Sequence, residues 1–253
     1  MREFQLKPMM RRAAIFGLTM FVTLTCTGKA ASTPGDGTRD IVVVLHGMGR
    51  TKLSMVPLSN HLRHLGYEVF NLSYPSTKQS IADSAGQLHK AMEQRGLSDS
   101  RRVHFVTHSL GGIVVRAYLK QHRPGNLGRV VMISPPNQGS EVADRLRNNC
   151  VYKWATGPAG QELGTDDSST PMILGSVDFP LGIISGDRSF NPLFSAWIEG
   201  RSDGKVSVQR TSVQGMTDLL VVPHSHSFIM RSSLVMGQVA RFLENGVFDH
   251  SMP

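Results

Sequence analysis

The chain of 253 residues is poor in cysteine, with only two, and its basic residues outnumber its acidic ones. Two thiols cannot crosslink a disulfide-rich scaffold or supply a cysteine-based zinc site. The 27 Lys and Arg residues against 19 Asp and Glu residues give a net charge of +8. Such a surplus indicates nucleic acid or anionic lipid as a partner only if the charges cluster. A hydrophobic share of 40% is enough to bury the core of a globular domain.

Long apolar runs are also missing, and the N-terminal segment 1–30 has the charge order of a secretory signal peptide. Four basic residues in 1–12 precede the mostly apolar run 13–25, and Gly28 and Ala30 are small residues suited to cleavage after Ala30. As a helix this run spans about 20 Å, less than the ~30 Å hydrocarbon core of a bilayer. We therefore expect an exported protein, periplasmic or secreted, without a stable membrane span after cleavage. An N-terminally anchored protein is the alternative.

Removal of this segment changes the charge balance, because its five basic residues and one acid hold +4 of the +8. The remaining basic residues are scattered, so we expect no nucleic-acid partner. Residues 31–40 have the polar composition of a linker, and 41–253 are long enough for a single domain. Cys150 is then the sole thiol, and we expect it to be buried or half-buried without a disulfide. The oligomeric state stays open.

Short apolar segments alternate with helical patterns through most of this domain. Such an alternation predicts an α/β fold with a mostly parallel central sheet and helices on both faces. Residues 146–180 break the alternation with glycine, aspartate and serine, and we expect a small cap or a surface excursion there. The expected strands are 41–45, 67–74, 103–107, 129–133, 181–185 and 219–222, and the expected helices are 57–65, 81–95, 110–121 and 234–243.

Ser109 stands where the third expected strand meets the third expected helix. A turn that exposes a nucleophilic serine needs small neighbours, as in the pattern G-x-S-x-G. Here Thr107 replaces the first glycine, whereas Gly111 keeps the last. Ser109 could instead be a simple helix N-cap. A cap, however, requires neither His108 nor two successive glycines, which each cost about 1 kcal/mol in a helix. We therefore take Ser109 as the candidate nucleophile.

A serine nucleophile needs two donors for the oxyanion that forms during attack. The N–H of Leu110, at the start of the helix, is one candidate. The second is the N–H of Met48, in the segment His46-Gly47-Met48-Gly49 directly after the first strand. By itself this segment is also compatible with an ordinary glycine-rich turn.

At these residues the chain resembles the α/β-hydrolase fold, and within it the small bacterial esterases and lipases of the triacylglycerol-lipase type. The resemblance covers most of 41–244 and is sparse in 146–180. It implies a Ser-Asp-His triad, in that chain order, with two backbone donors. The similar segments are VVLHGMG within 42–49, THSLGG at 107–112, SPPNQGSEVAD at 134–144, SDGKVSV at 202–208 and HSHSF at 224–228.

The implied chain order selects the general base among ten histidines. His250 lies three residues from the C-terminus, whereas His224 and His226 directly follow the last expected strand. We favour His226, because 225–228 is similar to the small-His-small-aromatic segment of these lipases, and keep His224 as the alternative. A metal bound by these two histidines would need a third ligand, and none is evident, so no metal is expected.

Two aspartates compete for the acid position. Asp203 lies in Ser202-Asp203-Gly204-Lys205-Val206, which looks like the D-G-x-V element of the family. Asp187 directly follows the fifth expected strand, at the sheet edge where catalytic groups gather in α/β folds. We favour Asp203 and keep Asp187 as the alternative.

Together these residues predict hydrolysis of carboxylic esters through an acyl-enzyme intermediate, without a cofactor. Met48, Leu53, Met55 and the stretch 146–180 suggest a pocket for short-to-medium acyl chains of a small-molecule or lipid ester. A thioesterase or acyltransferase would use the same groups. A non-catalytic binding protein with this fold is a further alternative, which the full set of triad residue types disfavours.

Overall fold

Six parallel strands form the central sheet of the described part of the chain, residues 40–97, 101–190 and 192–251 of a computed structural model. The strands are β1 (Ile41–Leu45), β2 (Glu68–Leu72), β3 (Val103–His108), β4 (Leu127–Ile133), β5 (Leu181–Gly186) and β6 (Asp218–Val222). They lie in the order β2-β1-β3-β4-β5-β6, and every neighbouring pair is parallel. The described residues all belong to one compact unit, Gly37–Pro253.

Helices lie between successive strands and after the last one. Within the described ranges they are α1 (Val56–His64), α2 (Ile81–Gln94), α3 (Leu110–Gln121), α4 (Glu141–Leu146), α5 (Cys150–Gln161), α6 (Thr170–Leu174), α7 (Pro192–Trp197), α8 (Val208–Thr211) and α9 (Ser233–Asn245). Local sequence sets their ends. The Ser80 side chain accepts the N–H of Asp83 in a capping box at the start of α2. Gly246 ends α9 in the left-handed conformation, with a φ of 81°.

Both faces of the sheet are covered, which explains why its strands are apolar throughout. Alternate residues of a strand point to opposite faces. In β1, Val43 packs in a cluster with Ile113 of α3, and Val44 packs in a second cluster with Val239 of α9. The helices α2 and α3 therefore cover one face, and α1 and α9 cover the other.

The predicted parallel sheet with helices on both faces is confirmed. Each expected strand and helix is present, with ends that differ by no more than two residues from those predicted. The helix expected at 110–121 is α3 without any shift. The strand expected at 103–107 extends by one residue, to His108.

The stretch 146–180, where we expected a cap or a surface excursion, holds α5 and α6. Trp154 on α5 is 85% exposed. Farther along, Ala159, Leu163 and Phe179 are buried in the cluster that includes α2 and α3. The stretch therefore contributes to the core as well as to the surface.

The expectation of a buried Cys150 is wrong, because this residue is exposed. Cys150 is the first residue of α5, and the Asn149 side chain caps the helix by accepting the N–H groups of Val151 and Tyr152. The first turn faces solvent, where Val151 is 66% exposed. The apolar character of a thiol does not bury it when the helix turn that carries it projects outwards.

The expected signal peptide, 1–30, and the expected linker, 31–40, lie outside the described residues, except for Asp40. Among the helices that are described, none has both the length and the apolar character needed to cross a bilayer.

Phe242 on α9 fills the sheet face that α1 and α9 cover. Its buried ring lies 4.9 Å from the ring of Phe248 and packs on Gly182, where a Cβ would come within 2.6 Å of the ring. We predict that Phe242→Ala lowers the free energy of unfolding by about 3–5 kcal/mol, because it leaves a cavity. In the matched control Phe190→Ala, the lost side chain is 82% exposed, and the change should stay within about 0.5 kcal/mol. Equal effects in chemical denaturation would contradict this packing.

Candidate active site

Ser109 lies on the sharp turn between β3 and α3. Its φ of 53° and ψ of −124° are values that a residue with a Cβ adopts rarely, at a cost of about 1–3 kcal/mol. The Ser109 N–H donates to the carbonyl of Ile133 on β4 at 2.8 Å, which holds the turn. The Ser109 side chain makes no capping bond to α3. It is therefore not the simple N-cap that was the alternative interpretation.

The two glycines after Ser109 let α3 approach the sheet closely. A Cβ on Gly111 would lie 2.9 Å from the carbonyl oxygen of His46, and a Cβ on Gly112 would lie 3.1 Å from the Sδ of Met132. Larger residues would push the helix away from the ends of β1 and β4. This close approach is the physical reason for two helix-breaking residues in the first turn of α3.

Three of the predicted site residues form an unbroken hydrogen-bond chain. The Nε2 of His226 lies 3.0 Å from the Oγ of Ser109, and its Nδ1 lies 2.7 Å from the Oδ2 of Asp203. An ionised carboxylate only accepts hydrogen bonds, so the Nδ1–H of His226 donates to Asp203 and the Nε2 accepts the Ser109 hydroxyl. Asp203 is 2% exposed and His226 5% exposed. This arrangement can deprotonate Ser109 and stabilise the resulting imidazolium.

The Asp203 carboxylate is held in its ionised state by its bonds. Its Oδ1 accepts the N–H groups of Lys205 at 3.0 Å and Val206 at 2.9 Å. Burial acts to raise the pKa of Asp203, but the charge and hydrogen bond of His226 and the bond from Val206 outweigh it and leave the pKa below its ordinary value. The loop of Asp203 is also tied to that of His226, since the His226 N–H donates to the Asp203 carbonyl at 3.0 Å.

The two alternative residues take other partners. The Asp187 carboxylate accepts the Nε–H of Arg201 at 3.1 Å. The His224 N–H donates to the carbonyl of Val222, and the Nδ1 of the His224 ring is buried without a partner among the described residues. The structure therefore brings Asp203 and His226 to Ser109 and leaves Asp187 and His224 out of the hydrogen-bond chain.

The loop after β1 lies directly against Ser109. A Cβ on Gly47 would be 3.0 Å from the Cβ of Ser109 and 2.8 Å from the Nδ1 of His108, so this position has room only for glycine. Met48 follows Gly47 and lines the same cavity as Ser109. Leu110 begins α3, and the first N–H groups of a helix have no acceptor within it. Both positions are compatible with oxyanion donors, a role that stays a prediction for each.

His46 holds the loop after β1 in place through its contacts with Tyr74. Its buried ring stacks on Tyr74 with 4.6 Å between centroids, and its carbonyl accepts the Tyr74 hydroxyl at 2.8 Å. The Nδ1 of His46 lies 2.9 Å from the Gly47 carbonyl oxygen, to which it donates. Burial lowers the pKa of His46, so the ring is neutral. The Tyr74 contact was missed from sequence, because it joins the loops that follow two different strands, β1 and β2.

His108, which the sequence offered only as motif support, connects the serine turn to the loop of His226. Its Nε2–H donates to the His226 carbonyl at 3.0 Å, and the two rings are 4.9 Å apart. Burial, and secondly the charge that His226 gains on protonation, lower the pKa of His108 well below its usual value. A neutral His108 can keep its free Nδ1 against Gly47 while it holds the His226 backbone.

A cavity of about 300 Å³ opens beside Ser109 and His226. Much of its wall is apolar, with contributions from Ala143, Leu146, Tyr152, Leu163 and Val206. These residues come largely from α4 and the stretch 146–180, so that stretch borders the site. In the described ranges, no three His, Cys, Asp or Glu side chains cluster as metal ligands would.

Two of the residues expected in the acyl pocket lie elsewhere. Leu53 is 70% exposed, and Met55 is fully buried in the core cluster that includes α1 and α9. The expectation that these two line the pocket is wrong, because the turn at Lys52–Met55 places one in solvent and the other under the sheet. Of the three apolar residues expected there, Met48 alone lines the cavity.

A doubly covered parallel sheet, with a strained serine at the turn after its third strand, defines the α/β-hydrolase class. Solved structures agree with this fold. The mature lipase BlEst2 from Bacillus licheniformis matches with a TM-score of 0.64 at 19% identity, over 82% of this chain and 93% of its own. Phospholipase PlaB from Legionella pneumophila matches with a TM-score of 0.63 at 21% identity, over 81% of this chain and 57% of its own.

The family follows from a sequence match. A family model described as palmitoyl protein thioesterase matches residues 41–169, just over half of the chain, and the chain belongs to that family. Lysosomal thioesterase PPT2 from Rattus norvegicus is 24% identical over 247 residues, which cover 82% of this chain and 78% of its own. The expected resemblance to α/β-hydrolase esterases and lipases is confirmed. The protein is an enzyme that hydrolyses ester or thioester bonds.

The contact between Gly47 and Ser109 generates a prediction. We expect Gly47→Ala to lower kcat for a p-nitrophenyl ester by about 10–100-fold, because the added Cβ must displace the loop or the serine. Gly86→Ala is the matched control, since a Cβ at Gly86 meets nothing within 4 Å. It should leave the turnover unchanged. Thermal melting would check that both variants are folded, and parental turnover in folded Gly47→Ala would contradict the contact.

Proposed function

We propose that the protein is an exported serine hydrolase that cleaves carboxylic esters and thioesters through an acyl-enzyme intermediate on Ser109. The observation that carries this proposal is the hydrogen-bond chain from Ser109 through His226 to Asp203, with distances of 3.0 Å and 2.7 Å. The cavity beside it is largely apolar and suits an acyl group. The chain of bonds supplies the nucleophile, the base and the orienting acid that acyl transfer requires.

In the first half of the proposed reaction, the Ser109 Oγ bonds to the carbonyl carbon while His226 Nε2 takes the hydroxyl proton. The carbonyl π electrons move onto oxygen, where the N–H groups of Met48 and Leu110 donate to the oxyanion. Asp203 accepts the hydrogen bond from the Nδ1–H of His226 and stabilises the imidazolium. The carbon–oxygen or carbon–sulfur bond to the leaving group then breaks, and His226 returns the proton to that group.

In the second half, water attacks the acyl-enzyme. His226 takes a proton from the water as the new carbon–oxygen bond forms, and it gives that proton to the Ser109 Oγ as the acyl bond breaks. The products are a carboxylic acid and the alcohol or thiol of the substrate. No redox partner or metal is needed for the balance of this sequence.

The substrate proposal rests on the cavity and on the family. At about 300 Å³, the cavity is at the small end of ligand sites and suits one short-to-medium acyl chain. We include thioesters beside oxygen esters, because the family model and the rat relative are both named for thioesterases. A thioester places sulfur where an ester has oxygen and uses the same nucleophile, base and oxyanion donors.

Export is supported by the order of charges in residues 1–30. Basic residues precede an uncharged apolar run, and small residues follow it, as in signal peptides. The rat relative is named for the lysosome, a compartment that proteins reach through the secretory pathway. We propose a mature enzyme that acts in the periplasm or outside the cell.

The proposal predicts that Ser109→Ala abolishes turnover of p-nitrophenyl esters of graded chain length and of a thioester. Turnover of the thioester is measured from the thiol that it releases. We expect kcat to fall by about 10⁶-fold, as for other triads. The control is Ser233→Ala, which removes an exposed serine hydroxyl at the start of α9. A fluorophosphonate probe should label the parent and this control but not Ser109→Ala. Parental activity without Ser109 would contradict the proposal, and a silent parent would favour a non-catalytic binding protein.

The base and the acid are each tested by one substitution at the favoured residue and one at its alternative. His226→Ala should lower kcat about as much as Ser109→Ala, because members of a triad act as a unit, and Asp203→Asn should lower it by about 10⁴-fold, because an amide favours the wrong tautomer of the imidazole. His224→Ala and Asp187→Asn are the matched controls and should retain most of the turnover. The roles would be reversed if the controls lost activity and the first pair kept it.

A further inference from the structure

Two cations, Arg50 and Lys205, line the cavity that contains Ser109 and His226. Arg50 follows Met48 by two residues, and Lys205 follows Asp203 by two residues. Arg50 is half-buried, whereas the Lys205 side chain is exposed. The mechanism proposed above uses neither charge.

The backbone of Lys205 is held at the site from two sides. Its N–H donates to the Asp203 Oδ1 at 3.0 Å, and its carbonyl accepts the hydroxyl of Ser140 at 2.9 Å. Arg50 donates through Nη2 to the Ser227 carbonyl at 3.4 Å, one residue beyond His226. Both cations therefore stand beside the loops that carry the acid and the base.

These two charges lack a carboxylate partner among the described residues, in contrast to many arginines elsewhere. Salt bridges to aspartate or glutamate are formed by Arg101, Arg102, Arg123, Arg147, Arg201 and Arg210. The Asp203 carboxylate acts on Lys205 through space, but its oxygens already accept bonds from His226 and from the backbone. The mouth of the cavity thus holds a positive charge that no carboxylate of the described residues pairs with in a salt bridge.

The two cations also repel each other. Desolvation by the surrounding protein lowers the pKa of the Lys205 ammonium, and the positive charge of Arg50 lowers this pKa further. Two like charges that face one cavity destabilise the free protein, and an anion between them would relieve that repulsion. The arrangement therefore favours a negatively charged group between the two cations.

The position of the cations identifies the part of the substrate that bears the anion. The acyl chain is suited to the apolar wall formed by residues such as Leu146 and Leu163. The leaving group must lie near His226, since that residue returns the proton to it. Arg50 and Lys205 are tied to the loops of His226 and Asp203, so they border the leaving group.

We propose that Arg50 and Lys205 bind a carboxylate or phosphate on the leaving group, so that the enzyme prefers esters and thioesters whose alcohol or thiol is anionic close to the bond that is cleaved. This inference rests on the proposed function of the site. In this proposal the two cations bind the polar leaving group, and the apolar wall binds the acyl chain.

The test compares pairs of substrates in which one member carries an anionic group and the other does not. S-hexanoyl-N-acetylcysteine is paired with its neutral carboxamide, and 1-hexanoylglycerol 3-phosphate is paired with 1-hexanoylglycerol. The measurement is the ratio of kcat/KM for the anionic member over the neutral one, which does not depend on the fraction of active enzyme. For the parent we expect a ratio of about ten or more in at least one pair, decreasing as NaCl is raised. The pair that shows the preference identifies carboxylate or phosphate as the ligand.

Variants connect the preference to the two side chains. Arg50→Gln and Lys205→Gln should each lower the ratio by about fivefold, the effect of one modest ion pair. Lys205→Arg keeps the charge and should keep the preference. The matched control is Lys153→Gln, which removes a positive charge from α5, on a residue that does not line this cavity. It should leave the ratio unchanged.

Three results would overturn the inference. A parental ratio near one in both pairs, with p-nitrophenyl hexanoate still cleaved in a Ser109-dependent way, would exclude anion recognition and leave the proposed function intact. A loss in Arg50→Gln and Lys205→Gln that is equal for both members of a pair would assign the cations to the oxyanion or to structure. An equal fall of the ratio in Lys153→Gln would show a general charge effect. Absence of turnover with every ester would instead refute the proposed function itself.

Discussion

The imidazole of His226 has to bond two side chains at once, one through each nitrogen, and the architecture around the site serves this requirement. Ser109 and Asp203 lie on turns that follow other strands, so the carboxyl ends of those strands must meet at one edge of the sheet. An error of about 1 Å in one loop can cost about 10²-fold in rate. The loops are accordingly tied together, since the His226 N–H donates to the Asp203 carbonyl and its own carbonyl accepts the His108 Nε2–H, each at 3.0 Å.

The backbone strain at this edge falls on the turns after two neighbouring strands. Among the described residues, Ser109 after β3 and Ser134 after β4 are the non-glycine residues with positive φ, at 53° and 48°. Each N–H donates to the next strand, to the carbonyls of Ile133 and Ile184 at 2.8 Å and 2.7 Å. Strain of about 1–3 kcal/mol per residue persists here because the hydrogen bonds between strands extend into the turns. The strained conformation of the turn at Ser109 directs the Ser109 hydroxyl away from the sheet and towards His226.

Sequence patterns predict the sheet and the serine turn, because each has a strict local requirement. A strand buried on both faces needs nearly continuous apolar residues, as in 41–45, and the turn at Ser109 needs small neighbours. Which carboxylate reaches His226 is a different kind of question, since Asp187 and Asp203 both lie in loops after β5. The answer depends on Arg201, which binds Asp187, and on the fold of the loop that buries Asp203. Contacts between distant residues leave no pattern of their own in one sequence, and the preference for Asp203 came from the resemblance of 202–206 to a family segment.

Burial and hydrogen bonding together determine which side chains of the site are ionised and which are neutral. Asp203 is buried, yet its pKa lies below the ordinary value, because His226 and two backbone N–H groups bond the ionised form. Its contribution to stability is thus present above its unfolded pKa of about 3.9 and is lost as the pH falls through the lower folded value. Buried His108 is neutral for the opposite reason, since desolvation outweighs its one hydrogen bond. Arg50 is half-buried and Lys205 is exposed, and both line the open cavity beside Ser109. A substrate anion can therefore reach these cations without the large desolvation cost of a buried ion pair.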